Sequence, residues 1–286
     1  MIRLSVGPIP DRLGGTLASV DYQQVRDNLR RAYDGAADRR DRQDKEPWKL
    51  AERTGFLRRL QKANCTRILE IGAGTGQDSV FFASHGLDVV ATDMSAAMVA
   101  RCRDKGLDAR VIDFSQLDFP AGSFDAVYAM NCLLVPNAEL PAVLASIARV
   151  LRPGGLFFLG VYGGSEGTEE GSAEWDDHVP ARFFSWRTDD QIVQFASESF
   201  DIIDFHIAQA GTQHRFQSLT LRRYEMSQLG SFKFSERGRE PGAVGEVHYL
   251  RGHQPGPAHS DSPPAPQIIP DLHRHPAATP PGVYRA

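Results

Sequence analysis

The residues best placed to do chemistry begin with Glu70, which stands two positions ahead of the first of three alternate glycines, Gly72, Gly74 and Gly76, in RILEIGAGTGQD. Glycine weakens regular structure, so this alternation after a strand-forming run predicts a backbone that bends tightly and lets a ligand come close. The spacing differs from the dinucleotide fingerprint G-x-G-x-x-G, because Gln77 occupies its sixth position. A carboxylate at the turn would repel a pyrophosphate and attract a cationic amine or a sulfonium. Further acids follow at intervals, Asp93 in VVATDMS and Asp113 in RVIDFSQLDFP, and then Asn131 in YAMNCLLVPN. Each has a second reading: Asp93 as a helix cap, Asp113 as a solvated loop residue, Asn131 as a turn residue. Later, Trp175-Asp176-Asp177-His178 closes a glycine-rich acidic stretch that starts at Tyr162. His178 is the first choice for a general base, since an imidazole titrates near neutral pH. No second histidine stands at ligand spacing from it, so no metal is expected.

These residues need elements to hold them. Helical spacing puts Val25, Leu29 and Tyr33 on one face of a helix over 21–38, and Leu50, Phe56, Leu57 and Leu60 on one face over 48–63. Arg67–Ile71 reads as a first strand, followed by a helix from about Thr75 that stops at His85-Gly86. Leu87–Thr92 is a second strand, Ser95 opens a helix to about Lys105, and Ala109–Ile112 is a third strand. Phe124–Ala129 is the fourth, a helix covers about Ala138 to Leu151, and Leu156–Val161 is the fifth. A helix at Asp189–Ala196, with a capping box from Thr188 and Gln191, precedes two late strands, Phe200–Ile207 and Phe216–Leu221. Strands alternating with helices predict an α/β fold, a doubly wound and mostly parallel sheet covered on both faces. The last two strands are joined too closely for a helical crossover, so they should pair antiparallel. The carboxyl ends of such strands are where ligands of open sheets bind, and the Tyr162–His178 segment lies there. It reads either as a solvated loop or as a lid over a substrate.

At this point the residues carry a resemblance. Glu70-x-Gly72-x-Gly74-x-Gly76 is similar to the signature of class I S-adenosylmethionine-dependent methyltransferases, and further matches follow in the family's order. Asp93 resembles the acid that holds both ribose hydroxyls, and Asp113 the residue that accepts from the adenine amino group. FPAGSFDAVYAMN resembles the family's fourth-strand segment, and LRPGG the turn before strand five. The resemblance spans about residues 20–222 and implies a seven-stranded, Rossmann-like sheet with strand seven antiparallel. It implies S-adenosylmethionine as cofactor, with Glu70, Gly72, Ala73, Gly74, Gly76, Asp93, Met94, Asp113, Phe114 and Asn131 around it. Tyr33 resembles the N-terminal tyrosine that covers the cofactor, although a core role on its helix explains it as well. Tyr162, Trp175, Asp176 and Asp177 would then face the substrate. NCLLVPN departs from the family pattern, which often has a histidine before the valine-proline pair. A non-catalytic cofactor-binding protein and a nucleotide-dependent oxidoreductase are the rival readings.

The bulk composition sets outer limits. The chain has 286 residues, 41 % of them hydrophobic, enough for one core of ordinary size. A net charge of −4 gives no electrostatic case for nucleic acid or an anionic membrane. The first residues do not read as a secretory signal, and no apolar run reaches the length of a membrane span. Three widely spaced cysteines, Cys65, Cys102 and Cys132, suit a reducing, cytoplasmic setting. Ten of the eighteen prolines and five of the nine histidines follow Glu236, a composition too poor in apolar residues to fold. The expected organisation is therefore a flexible extension over 1–18, capping helices over 19–64, a cofactor domain over 65–224 and a largely disordered tail over 225–286. The tail histidines His273 and His275 read as solvated. The acceptor is expected to be a small molecule.

Overall fold

The computed structural model describes residues 21–163, 169–173, 175–208 and 215–225. The expectations for the N-terminal extension and the proline-rich tail, His273 and His275 included, lie outside them. Two helices come first, α1 (Tyr22–Asp41) and α2 (Pro47–Lys62). Asp21 starts α1 by accepting from the Gln23 and Gln24 N–H groups, and Pro47 starts α2, where its missing N–H costs nothing.

A seven-stranded sheet follows, in the order β3-β2-β1-β4-β5-β9-β8. Its members are β1 (Arg67–Ile71), β2 (Asp88–Asp93), β3 (Asp108–Val111), β4 (Phe124–Met130), β5 (Leu151–Tyr162), β8 (Phe200–Ala208) and β9 (Phe216–Arg223). β1 to β5 pair in parallel, whereas β9 runs antiparallel to both β5 and β8. The order reverses between β1 and β4, where Glu70 lies beside Tyr128. Such a switch point opens a crevice at the carboxyl edge.

Alternation along the strands divides the core into two layers. Leu69, Ile71, Val127, Ala129, Phe157 and Leu159 pack with Leu144 and Ile147 of α5 (Leu140–Val150) and Ile192 of α6 (Asp189–Ser197). Ile68, Ala126, Tyr128 and Phe158 pack on the opposite side with Phe56 and Leu60 of α2 and Phe82 of α3 (Gln77–Ser84). Both faces of the inner strands β1, β2, β4 and β5 are buried because apolar residues stand at odd and even positions alike. α4 (Ala96–Asp104), capped by Ser95, and a short 3-10 turn at Phe114–Gln116 complete the cover.

Three features differ from the sequence expectation. β5 starts at Leu151, which pairs with Phe124 ahead of a register shift, so LRPGG stays attached to the sheet instead of forming a free turn. Leu50 is 37 % exposed, because the buried stripe of α2 passes through Phe56, Leu57 and Leu60 only. A second, two-stranded sheet joins β6 (Glu169–Ser172) to β7 (Phe183–Trp186). Glu-Glu-Gly-Ser has little strand preference of its own. Pairing becomes favourable because Phe183 and Phe184 bury against Val25 and Leu29 of α1.

Candidate functional site

The turn between β1 and α3 has all three glycines at positive φ, but they serve different ends. A Cβ on Gly72 would lie 2.3 Å from the Cys132 Cβ, and one on Gly76 would lie 2.7 Å from Leu107 Cδ1. Those two glycines are required by neighbours that crowd the turn. At Gly74 nothing stands within 4 Å, so its bare Cα borders open space. The space is a cavity of about 380 Å³ at the carboxyl edge of the sheet, near the small end of the usual range for ligand sites.

Asp93 ends β2 beside this turn. Its Oδ2 accepts from the Gly74 N–H and its Oδ1 from the Ser95 N–H, both at 2.9 Å. The side chain thus ties the start of α4 to the glycine turn and also lines the cavity. Burial pushes its carboxyl up to about 6, in spite of both N–H donors. Glu70 also lines the cavity and is 3 % exposed, with the Ser79 hydroxyl donating to it. Burial, and then the charge of Asp78, push Glu70 up to about 8, so in the free protein it holds a proton at neutral pH. Asp78 itself is ion-paired to Lys45 at 2.5 Å and Arg53 at 3.0 Å. Those bonds tie the segment between α1 and α2, through Lys45, and α2 itself, through Arg53, to Asp78 in the cavity wall.

Of the other cofactor candidates, Gly72, Ala73, Met94, Phe114 and Asn131 line the cavity. Asn131 sits just beyond β4 in the left-handed region, and its buried Oδ1 has no hydrogen-bond partner. An orphaned buried acceptor is costly, and a ligand N–H would satisfy it. Asp113 lies outside the wall. It caps the 3-10 turn through the Ser115 N–H at 2.9 Å and pairs with Arg26 at 3.3 Å, leaving Phe114 to face the cavity. Gly76 is outside the wall too, held against α4.

The substrate-side expectations also divide. Tyr33, Tyr162 and Trp175 line the cavity, whereas Asp176, Asp177 and His178 do not. His178 Nδ1 meets Asp176 Oδ1 at 2.8 Å, and its Nε2 lies 3.4 Å from Arg39 Nη2. Burial, and then the Arg182 charge, lower its pKa, so the neutral ring donates from Nδ1 to Asp176 and accepts at Nε2 from Arg39. Both nitrogens are engaged behind the wall, which argues against the role of base. The ligating atoms of Asp176, Asp177 and His178 come within 4.8 Å of one another. Arg182 and Arg39 already answer the two carboxylates, so a cation would meet two guanidinium groups there.

Sequence reading missed part of the wall. Leu29, Leu134, Arg182 and Phe184 line it, as does Arg40 near the end of α1. Leu29 had a legible signal in its helical stripe, but ARFFSW carries no motif that separates Arg182 from an ordinary surface arginine.

The comparisons with known proteins bear on this geometry. Residues 68–155 match the model of a methyltransferase-domain family. The chain is 41 % identical over 98 residues to phosphatidylethanolamine N-methyltransferase of Cereibacter sphaeroides, covering 31 % of this chain and 47 % of that one. It is 30 % identical over 163 residues to malonyl-[acyl-carrier protein] O-methyltransferase of Halorhodospira halophila, covering 52 % and 51 %. The chain thus spans about half the length of these curated relatives. Among solved structures it is similar to 1,6-didemethyltoxoflavin-N1-methyltransferase of Burkholderia thailandensis, which was crystallised with 1,6-didemethyltoxoflavin and S-adenosylhomocysteine. That likeness has a TM-score of 0.59 at 20 % identity, over 76 % of this chain and 94 % of that one, and it concerns the fold. With its glycine turn at the β1–β4 switch and its antiparallel β9, the chain carries at its centre, over residues 68–155, a segment similar to a methyltransferase-domain family.

Proposed function

We propose that this chain binds S-adenosylmethionine and transfers its methyl group to a small-molecule acceptor. The observation that carries the reading is the open space at Gly74, flanked by the Asp93 carboxylate and the unpartnered Asn131 Oδ1. The residues present fit the cofactor. Asp93 keeps lone pairs for ribose hydroxyls, and Met94 and Phe114 offer apolar surface to adenine. Asn131 and Glu70 offer acceptors to the ammonium of the methionine end, and a cation there would favour ionised Glu70. The bound cofactor supplies a methyl group already activated on a sulfonium, so an acceptor lone pair displaces a neutral thioether.

The chain's own contribution is alignment and exclusion of water. Holding two reactants in attack geometry is worth up to about 7–11 kcal/mol, and no covalent help is needed. Tyr33, Tyr162 and Trp175 form the wall on the acceptor side in this reading. His178 acts behind it, fixing Asp176 and Arg39 and so the position of Tyr33, whose ring centroid lies 6.0 Å from the imidazole. An acceptor that arrives ionised, or that releases its proton to solvent, needs no base from the chain. The absence of a basic stripe in the sequence supports a small acceptor over a nucleic acid. Three unpaired cysteines support a reducing, cytoplasmic setting. Among the described residues no helix is long and apolar enough to cross a membrane.

Calorimetry with S-adenosylhomocysteine and NAD, followed by radiolabelled methyl transfer to a panel of phenols, carboxylic acids and amines, tests the reading. Binding of S-adenosylhomocysteine with transfer supports it. A preference for NAD would turn the assignment to an oxidoreductase, and cofactor binding without transfer to any acceptor would favour a non-catalytic partner.

A further inference from the structure

We propose that Arg182 selects the methyl acceptor by gripping a non-reacting anionic oxygen on a small planar ring, such as a carboxylate on a phenol. The inference rests on the methyltransferase reading above and names the substrate class of the same cavity.

Arg182 is 8 % exposed, yet it lines the cavity. Its guanidinium lies 5.1 Å from the centre of the Phe184 ring and 5.9 Å from that of Tyr33. Trp175 extends this aromatic corner, with its ring 5.0 Å from Phe184. Asp176 holds the fork in place: its Oδ1 accepts from Nε–H at 2.9 Å and lies 2.9 Å from Nη2. An arginine fork has more N–H donors than this one carboxylate uses. The fork is therefore oriented before any ligand arrives and still has hydrogen bonds to give.

Charge around the cavity favours an anion at this end. Asp176 and Asp177 answer Arg182 and Arg39 from behind the wall and do not line the cavity. Of the lining carboxylates, Glu70, Asp78 and Asp93 belong to the glycine-turn end, Glu46 is paired to Lys49 at 2.5 Å, and Asp44 lies on the segment between α1 and α2. Arg40 is the other guanidinium in this wall, 5.5 Å from the Tyr33 ring. Its charge acts on Asp93 at the glycine-turn side, whereas Arg182 stands in the aromatic corner beside Phe184 and Tyr33. A reacting oxygen held by a guanidinium would lose nucleophilicity. The grip must therefore fall on a different oxygen from the one methylated, which leaves the aromatic faces to hold the ring between them.

The test uses the full chain saturated with S-adenosylhomocysteine and two probes of equal shape, 4-hydroxybenzoate and 4-hydroxybenzamide, with binding followed by calorimetry. The wild type should bind the carboxylate at least about tenfold more tightly than the amide. Arg182→Met should weaken the carboxylate by about 10- to 150-fold and leave the amide nearly unchanged, with the affinity for S-adenosylhomocysteine intact. Arg182→Lys keeps the charge without the fork and should recover only part of the preference. Equal binding of the two probes by the wild type would overturn the proposal without any variant. So would a loss of carboxylate binding in Arg40→Met but not in Arg182→Met, or failure of both probes on protein that binds S-adenosylhomocysteine. If S-adenosylhomocysteine itself does not bind, it is the underlying methyltransferase reading that fails.

Discussion

Replacing Gly74 by alanine separates the cost of backbone strain from the loss of ligand space. Gly74 has φ +56°, where an L-residue costs about 1–2 kcal/mol. No protein atom lies within 4 Å of the added Cβ, so no collision adds to that strain. The melting temperature should therefore fall by about 2–8 °C, the shift that this energy gives in a domain of this size. The methyl group does project into the space proposed for the cofactor. Overpacking of about 1–3 kcal/mol there corresponds to a rise of about 5- to 150-fold in the Kd for S-adenosylhomocysteine. Gly72→Ala makes the contrast. It carries similar strain at φ +61°, but its Cβ would stand 2.3 Å from the Cys132 Cβ, so it should lose clearly more stability than Gly74→Ala. Pairing it with Cys132→Gly removes the clashing atoms and leaves the Cys132 Cα at an ordinary 3.7 Å. A double-mutant cycle should then show a rescuing coupling of about 0.5–3 kcal/mol for Gly72 with Cys132, and none for Gly74 with Cys132. Thermal unfolding and calorimetry on the five variants and the wild type provide both readouts. Wild-type affinity in folded Gly74→Ala would refute the reasoning, because the ligand could not then pass beside that residue.

Other expectations follow from the same contacts. Glu70 has a folded-state pKa of about 8 against an ordinary value of 4.5, so its contribution to stability is present below about pH 4.5 and is lost as pH rises through 8. Glu70→Gln should consequently lose less stability than the wild type between pH 5 and 8 in urea titrations, and parallel pH profiles would contradict the buried, protonated state. His178→Gln should lower turnover through the positioning of Tyr33 while the shape of the pH–rate profile near neutrality is retained; loss of a titrating limb there would restore His178 as base. Deleting residues 240–286 should leave the melting temperature and the affinity for S-adenosylhomocysteine unchanged, on the grounds of composition alone, and a large drop in either would show that this segment docks on the rest of the chain.

Much of the fold was legible because its signals are local. The strand-turn-helix run from Arg67 to Ser84 declares itself through apolar residues followed by glycines, and the caps at Ser95 and Thr188 lie within a few residues of the groups they satisfy. The antiparallel end of the sheet followed from a connection too short to cross over. Asp93 was legible for a similar reason, since the strand delivers it to the carboxyl edge whatever the rest of the chain does.

Tertiary structure alone decided which side chains face the cavity. Asp113 and Phe114 are neighbours, yet a salt bridge from Arg26 draws the acid away and leaves the ring in the wall. The three glycines look equivalent in the sequence; only the approach of Cys132 and of Leu107 with Cys102 makes Gly74 the one where an added Cβ would meet nothing. Arg182 and Tyr33 are far apart in the chain, and they meet because β7 buries its phenylalanines against α1. Hydrophobic periodicity states that a face will be buried. It does not state against which partner, so the acceptor wall and the turning of His178 away from it arise only when distant segments pack.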